Sequence, residues 1–332
     1  MGLETSVYAG EFSVWEEKKM RRKDASKVGN WFKGLGMDMR KNYDLYWMVI
    51  PGVLFYLLFK YWPMYGLQIA FRNYSPALGI TESPWVGLKY FERFINSFQF
   101  GSLMTNTFLI AFYSLLVGFP IPIILALALN ANEHPIFKKA VQMTTYAPHF
   151  ISVVVLVSLL NVFFGQSFGL INNLREAMGL DRVLYLGDPK YFRHMYVWSG
   201  VWQNMGWNAI IYISALSSVS QELHEAATVE GATKFQRIRY IDFPHILPTV
   251  TILLIMDSGH LLDVGFDKVY LMQNDQNIRY AQVISTYVYE IGLLKNQPSY
   301  SAAIGLFNSV ISLVLLFTVN KISGRLGETS LW

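Results

Sequence analysis

The sequence predicts an all-α polytopic membrane protein with six transmembrane helices and both termini in the cytosol. Three observations carry that prediction. Hydrophobic residues make up 53% of the 332 residues and charged residues 15%, against roughly 25% charged in a soluble globular chain. The apolar residues fall into blocks that match the about 20 helical residues needed to cross a hydrocarbon core. Lysines and arginines gather in the tail and in the loops on one side of those blocks, as the positive-inside bias requires.

Taken in order, residues 1–43 form a polar, basic cytosolic tail containing Lys18, Lys19, Arg21, Arg22, Lys23, Lys27, Lys33, Arg40 and Lys41. Trp15, Trp31 and Phe32 suit the lipid interface. Residues 44–332 form the membrane domain, with spans expected at about 46–66, 103–130, 141–165, 194–217, 245–268 and 300–321. With the amino terminus inside, Lys138, Lys139, Lys234, Arg237, Arg239, Lys321 and Arg325 also face the cytosol. The outer loops are then 67–102, 166–193 and 269–299, each long enough to present a docking surface. The first carries Pro84, Trp85, Gly87 and Tyr90. The first apolar block begins far beyond the n-region of a secretory signal and lacks a small-residue cleavage site after it, so it reads as an uncleaved span.

Several classes of function are excluded. The cysteine count is zero, which removes disulfides, thiolate metal sites and cysteine nucleophiles. The formal charge of +4 is modest, and its basic cluster suits an anionic membrane face rather than nucleic acid. The sequence has no G-x-x-x-x-G-K-[ST] phosphate loop, no HExxH and no GxSxG elbow, so no intrinsic catalysis, bound cofactor or metal is expected.

The loop at 218–248 carries the most informative pattern. Glu225-Ala226-Ala227 is followed after three residues by Gly231, and after nine more by Ile241. Ile246-Leu247-Pro248 then opens the fifth span. A short surface helix is expected from Glu222 to Ala232 with Ser220 as its N-cap. Small residues at Ala226, Ala227, Gly231 and Ala232 permit close approach of another protein, and Pro244 and Pro248 are expected to end one helix and restart the next.

This loop resembles the EAA loop of type I ABC importer permeases. Phe243-Pro244 stands where that family places Leu-Pro, and Leu247-Pro248 falls later. WVGLKYF (85–91), NTFLIAF (106–112), GLIN (169–172), FDKVYLM (266–272) and the closing run from Ala303 to the terminal SLW are similar to one subgroup. That subgroup contains the permeases for complex poly- and oligosaccharides, of lipopolysaccharide and alginate-importer type. The resemblance implies a permease in the bacterial inner membrane that takes up a saccharide by ATP-driven alternating access. It implies as partners a second homologous permease, two ATPase subunits that bind ATP and Mg²⁺, and an extracytoplasmic solute-binding protein. It makes Glu222, Glu225, Ala226, Ala227, Gly231, Ala232 and Phe235 the surface gripped by the ATPase.

Ionisable and amide groups inside spans are functional suspects. Asp257 and His260 are three apart in the fifth span, with Asp263 beyond, and are expected to share a helix face. Asn204 and Asn208 share a face of the fourth span beside Gln203, among Trp198, Trp202 and Trp207. Amide donors beside aromatic faces suit a carbohydrate passage. Amides also tie helices together, and His260 could pair with Asp257, so both structural readings stay open. Two further alternatives are a proton- or sodium-coupled secondary transporter relaying through Asp257, His260 and Asp263, and a membrane enzyme acting on lipid-linked sugar. The former would need inverted repeats, and no clear repeat is found.

Overall fold

The computed structural model describes residues 41–325. Most of the basic tail, with Trp15, Trp31 and Phe32, and the closing SLW lie outside the described residues. The chain divides into two compact units between Leu67 and Gln68. In the first, α1 (Tyr43–Tyr56) runs through a π turn (Leu57–Tyr61) into a short helix, Trp62–Met64. No side chain of α1 is buried, and its composition is apolar on every face.

The second unit is helical. Its elements are α2 (Lys89–Ile95), α3 (Gln99–Gly118), α4 (Pro120–Asn130), α5 (Pro135–Tyr146), α6 (Val153–Phe164), α7 (Leu170–Ala177) and α8 (Pro189–Leu216). There follow α9 (Gln221–Val229), α10 (Lys234–Arg237), α11 (Phe243–Gly259), α12 (Phe266–Met272), α13 (Ile284–Tyr289) and α14 (Pro298–Arg325). Apart from the isolated bridges Arg72–Trp85 and Ser75–Gly79, the described residues contain no β-structure.

Among the described residues, four helical runs are long and apolar enough to cross a membrane: Tyr43–Phe71, Gln99–Asn130, Lys234–Gly259 and Pro298–Arg325. The expected third span is not a straight helix. It is broken into Pro135–Phe150 and Val153–Phe164, which meet at 103°. Pro148 lacks an N–H, Ile151 and Ser152 are extended, and the Ser152 hydroxyl accepts from Val155 N to start α6 afresh. The expected fourth span lies within α8, a single helix of 28 residues; it falls outside the four because the polar residues crowding it dilute its apolar character. The expected fifth span ends at Gly259, and 266–272 is a separate helix.

Pro244 does not end a helix as its position suggested. Pro244 has no N–H for the carbonyl of Tyr240, and the backbone widens just before it into a π turn, Ile238–Asp242, closed by Phe243 N on Ile238 O. The helical run from Lys234 to Gly259 is therefore continuous. The same device precedes Pro63, where Trp62 N closes on Leu57 O.

The long helix α8 packs against α3, α4, α5 and α11. Phe192 and Val197 of α8 join Ile110, Val269 and Val283 in one core, and Ala209 joins Ala126 and Ile246 in another. A third gathers Phe94, Leu103, Ile284, Tyr300 and Ile304. Outside the spans, buried Asn172 of the GLIN segment donates to Gly165 O and Val183 O and accepts from Val183 N, which pins the 165–183 loop. Gly206 brings α8 against the end of α5 so closely that a Cβ would run into the Thr145 carbonyl. At Gly118 the nearest atom to an added Cβ is Val201 Cγ2 at 3.9 Å, an ordinary contact. Gly206→Ala is therefore expected to cost about 1–3 kcal/mol, with Gly118→Ala near neutral, when thermal unfolding of the purified protein is followed in detergent.

Candidate functional site

Two places in the second unit concentrate polar chemistry. The first is the segment 218–248. Ser220 caps α9 as expected, its hydroxyl accepting from Glu222 N at 3.2 Å. The helix ends at Val229, earlier than the expected Ala232. Gly231 takes φ +83°, Gly231 N donates to Thr228 O at 3.1 Å, and Ala232 N donates to Ala227 O at 2.9 Å. This is a Schellman stop, and its left-handed residue favours glycine. A Cβ at Gly231 would meet open space, so close packing within the chain is not what requires glycine there. Thr233 and Gln236 then form a capping box that starts α10.

Glu222, Glu225, Ala226, Gly231 and Phe235 are exposed, while Ala227 and Ala232 are half-buried. Phe235 therefore stands on α10, not on the same helix as Glu225. Sequence reading missed the apolar side chains beside them: Leu223, Val229 (90% exposed) and Tyr240 also face outward. They follow no periodic pattern, so only their exposure reveals them. Lys234 Nζ lies 3.0 Å from Glu133 Oε1, in the turn after α4, and holds that carboxyl below its usual range. That tie is present above the ordinary carboxylate range and is lost as pH falls through the lowered value.

The second place is a cavity of about 650 Å³ between α3, α8, α11 and the chain leading into α12. Gln203, Asn204, Asn208, Asp257, His260 and Asp263 line it, as does Lys268. The predicted polar residues of two separate spans thus share one wall. Trp198, Trp202 and Trp207 are not among the lining residues. Trp198 Nε1 donates to the Tyr113 hydroxyl at 2.9 Å, and Trp207 stacks on His149 with centroids 4.4 Å apart. The expected aromatic lining is instead structural at these two residues, and Trp202 is partly exposed outside the cavity.

The amides divide by role. Gln203 Nε2 donates to Ile151 O at 2.7 Å, at the break between α5 and α6. Asn204 Oδ1 bonds to His149 Nδ1 at 3.0 Å and its Nδ2 donates to Gly200 O. Both hold the broken pair onto α8. Asn208 and Asp257 make no such bond among the described residues and line the cavity. His260 is the C-cap residue of α11, its N–H donating to Asp257 O at 3.1 Å, and it lines the same cavity as Asp257. Its Nδ1 lies 3.4 Å from Asp263 Oδ2. Lys268, 8% exposed, donates to Tyr196 O at 2.7 Å and sits 4.6 Å from the Tyr196 ring centroid. The sequence signal for it was a lysine beside Asp267 in the otherwise apolar run FDKVYLM.

Residues 118–327 match the family described as binding-protein-dependent transport system inner membrane component. Protein LplB of Bacillus subtilis (strain 168) is 40% identical over 308 residues, which cover 93% of this chain and 96% of that protein. The polygalacturonan/rhamnogalacturonan transport system permease protein YteP of the same organism is 40% identical over 288 residues, covering 87% of this chain and 90% of that one. A solved bacterial alginate ABC transporter, in complex with an alginate pentasaccharide-bound periplasmic protein, contains a chain 38% identical to this one. That match has a TM-score of 0.81 and covers 89% of this chain and 99% of the other.

The division of the amides is measurable. Gln203→Leu removes the donor from the part-buried Ile151 carbonyl and is expected to cost about 1–3 kcal/mol in thermal melts. Asn208→Ala, which removes no internal bond, is expected to stay within about 0.5 kcal/mol of the parent.

Proposed function

We infer the function of this chain from the premise that it belongs to the family of binding-protein-dependent transport system inner membrane components: it is a permease subunit of an ABC importer for sugars or polysaccharides. It is a transport subunit and not an enzyme, and ATP hydrolysis is the work of partner ATPases. The observation that carries this reading is the likeness of nearly the whole chain, 89% of it, to a permease of an alginate ABC transporter.

Within that frame, the outward face of the segment 221–235 is the surface the ATPase grips, and the inward-turned His224 is not part of it. Glu222, Glu225, Ala226, Ala227, Gly231, Ala232 and Phe235 form it together with Leu223 and Val229. The support is physical: an exposed helix with caps at both ends leads through a second capped helix into one continuous rod, Lys234–Gly259. A displacement at the surface is carried along such a rod because it is helical from end to end. The chain crosses the bacterial inner membrane six times with both termini in the cytosol. Here α8 and the broken α5–α6 pair supply the spans that length and apolar character alone do not count. Two ATPase subunits bind ATP and Mg²⁺. A second, different permease chain completes the pore, and a solute-binding protein delivers the saccharide.

The cavity is this chain's share of the saccharide passage, by alternating access. Gln203, Asn204, Asn208, Asp257 and His260 face it, and hydroxyl-rich sugars need such amide and ionisable partners. The saccharide is a uronate polymer fragment of the alginate or pectin kind. Both named relatives with a stated polysaccharide handle uronates, and the cationic residue Lys268 is among those lining the cavity.

Two experiments test these assignments. A bulky Gly231→Trp replacement is expected to abolish co-purification of the ATPase subunits, while a single cysteine at Gln221 in this cysteine-free chain reacts with an impermeant maleimide only in inverted vesicles. Normal ATPase attachment, or labelling from the outside, refutes the coupling surface. In proteoliposomes of the whole transporter, Asn208→Ala and Lys268→Met are expected to lower uptake of uronate oligosaccharide at least about tenfold with assembly intact. Unchanged uptake removes both from the passage.

A further inference from the structure

Behind the exposed face of α9 lies a buried polar contact that the coupling surface itself does not require. His224 lies one residue before Glu225, and its side chain is turned inward while Glu222 and Glu225 face out. His224 Nε2 lies 3.2 Å from Asp242 Oδ1. Asp242 is 2% exposed and closes the π turn at which α10 passes into α11. The same oxygen accepts from Asn130 Nδ2 at 3.2 Å, and Asn130 is the last residue of α4. One carboxylate oxygen therefore joins three elements: the helix that carries the surface, the foot of the membrane rod, and the end of the neighbouring helix in the Gln99–Asn130 run.

A carboxylate so deeply buried is held by its partners, because separating them leaves a charge without water or donor. The connection also bypasses the backbone. Between α9 and α10 the chain passes through the Schellman stop at Gly231 and the turn to Thr233. Two capped ends in succession make a joint that bends more readily than a helix. The side-chain contact braces that joint. Thr228 Oγ1, which accepts from Arg237 Nη1 at 3.0 Å, adds a second, exposed brace across the same turn.

We propose that the His224–Asp242–Asn130 contact is the transmission joint of this permease: it makes α9 move as one body with the rod Lys234–Gly259 and the end of α4. His224 and Asp242 are positioning residues. They touch neither ATPase nor saccharide and act by keeping the gripped helix at a fixed angle to the rod. The proposal rests on the reading of α9 as the ATPase-gripped helix.

The whole transporter, reconstituted with its ATPases and loaded binding protein, tests this. His224→Ala/Asp242→Asn removes the joint without leaving a charge buried, and His224→Gln keeps a donor directed at the carboxylate. In the double variant, ATPase attachment and basal ATP hydrolysis are expected to stay at the parent level. Binding-protein-stimulated hydrolysis and saccharide moved per ATP are each expected to fall at least about tenfold, and His224→Gln recovers most of both. Parent-level stimulation and uptake in the double variant overturn the joint. Loss of ATPase attachment in that variant overturns it as well, by placing these residues in the docking surface. The two readings fail separately: attachment that survives Gly231→Trp defeats the gripped surface, whereas full uptake in the double variant, with Gly231→Trp still blocking attachment, defeats only the joint.

Discussion

Every backbone donor and acceptor inside a bilayer must find its partner within the protein, since hydrocarbon offers none. Three of the prolines show how the chain accommodates a missing donor. Pro63 and Pro244 each lie just beyond a π turn, in which the ladder slips from i+4 to i+5. The helix continues and no end is exposed. Pro148 is handled differently, with a 3₁₀ turn, two extended residues and a new N-cap at Ser152. Continuity at Pro244 makes a rod that transmits displacement. Discontinuity at Pro148 makes a corner whose carbonyl at Ile151 must be met from outside, and Gln203 meets it.

That division explains why polar residues are so dense in α8. Some of them serve the corner: Gln203, Asn204 and, through His149, the ring of Trp207. Others, above all Asn208, face the cavity without an internal bond among the described residues. The helix is consequently less apolar than the four long runs, yet it is the element against which α3, α4, α5 and α11 pack. Its apolar side chains, such as Phe192, Val197 and Ala209, are spent on protein contacts and not on lipid.

The coupling segment follows a complementary logic. Its outer face keeps large apolar side chains in the open, at Leu223, Val229 and Phe235, where an isolated chain gains nothing from them. Its inner face carries His224 toward a buried carboxylate. One short helix thus has a surface for another protein on one side and an anchor to its own membrane domain on the other.

Much of this was legible in the residues. Block hydropathy placed the apolar spans, and the local chemistry of Ser220 marked the start of α9, because caps depend on neighbours a few residues away; the stop at Gly231 fell earlier than the expected Ala232. The spacing of Glu225-Ala226-Ala227 and Gly231 pointed to a coupling surface, and that resemblance led to the family that the whole-chain likeness then established. The tertiary structure decided the rest. It broke the third span at Ile151, left Trp198 and Trp207 out of the cavity lining, and brought His224, Asp242 and Asn130 together. Periodicity and capping act over one or two helical turns and can be read along the chain. Residue 130 meeting residue 242 depends on how whole helices lie against one another, and no local pattern encodes that.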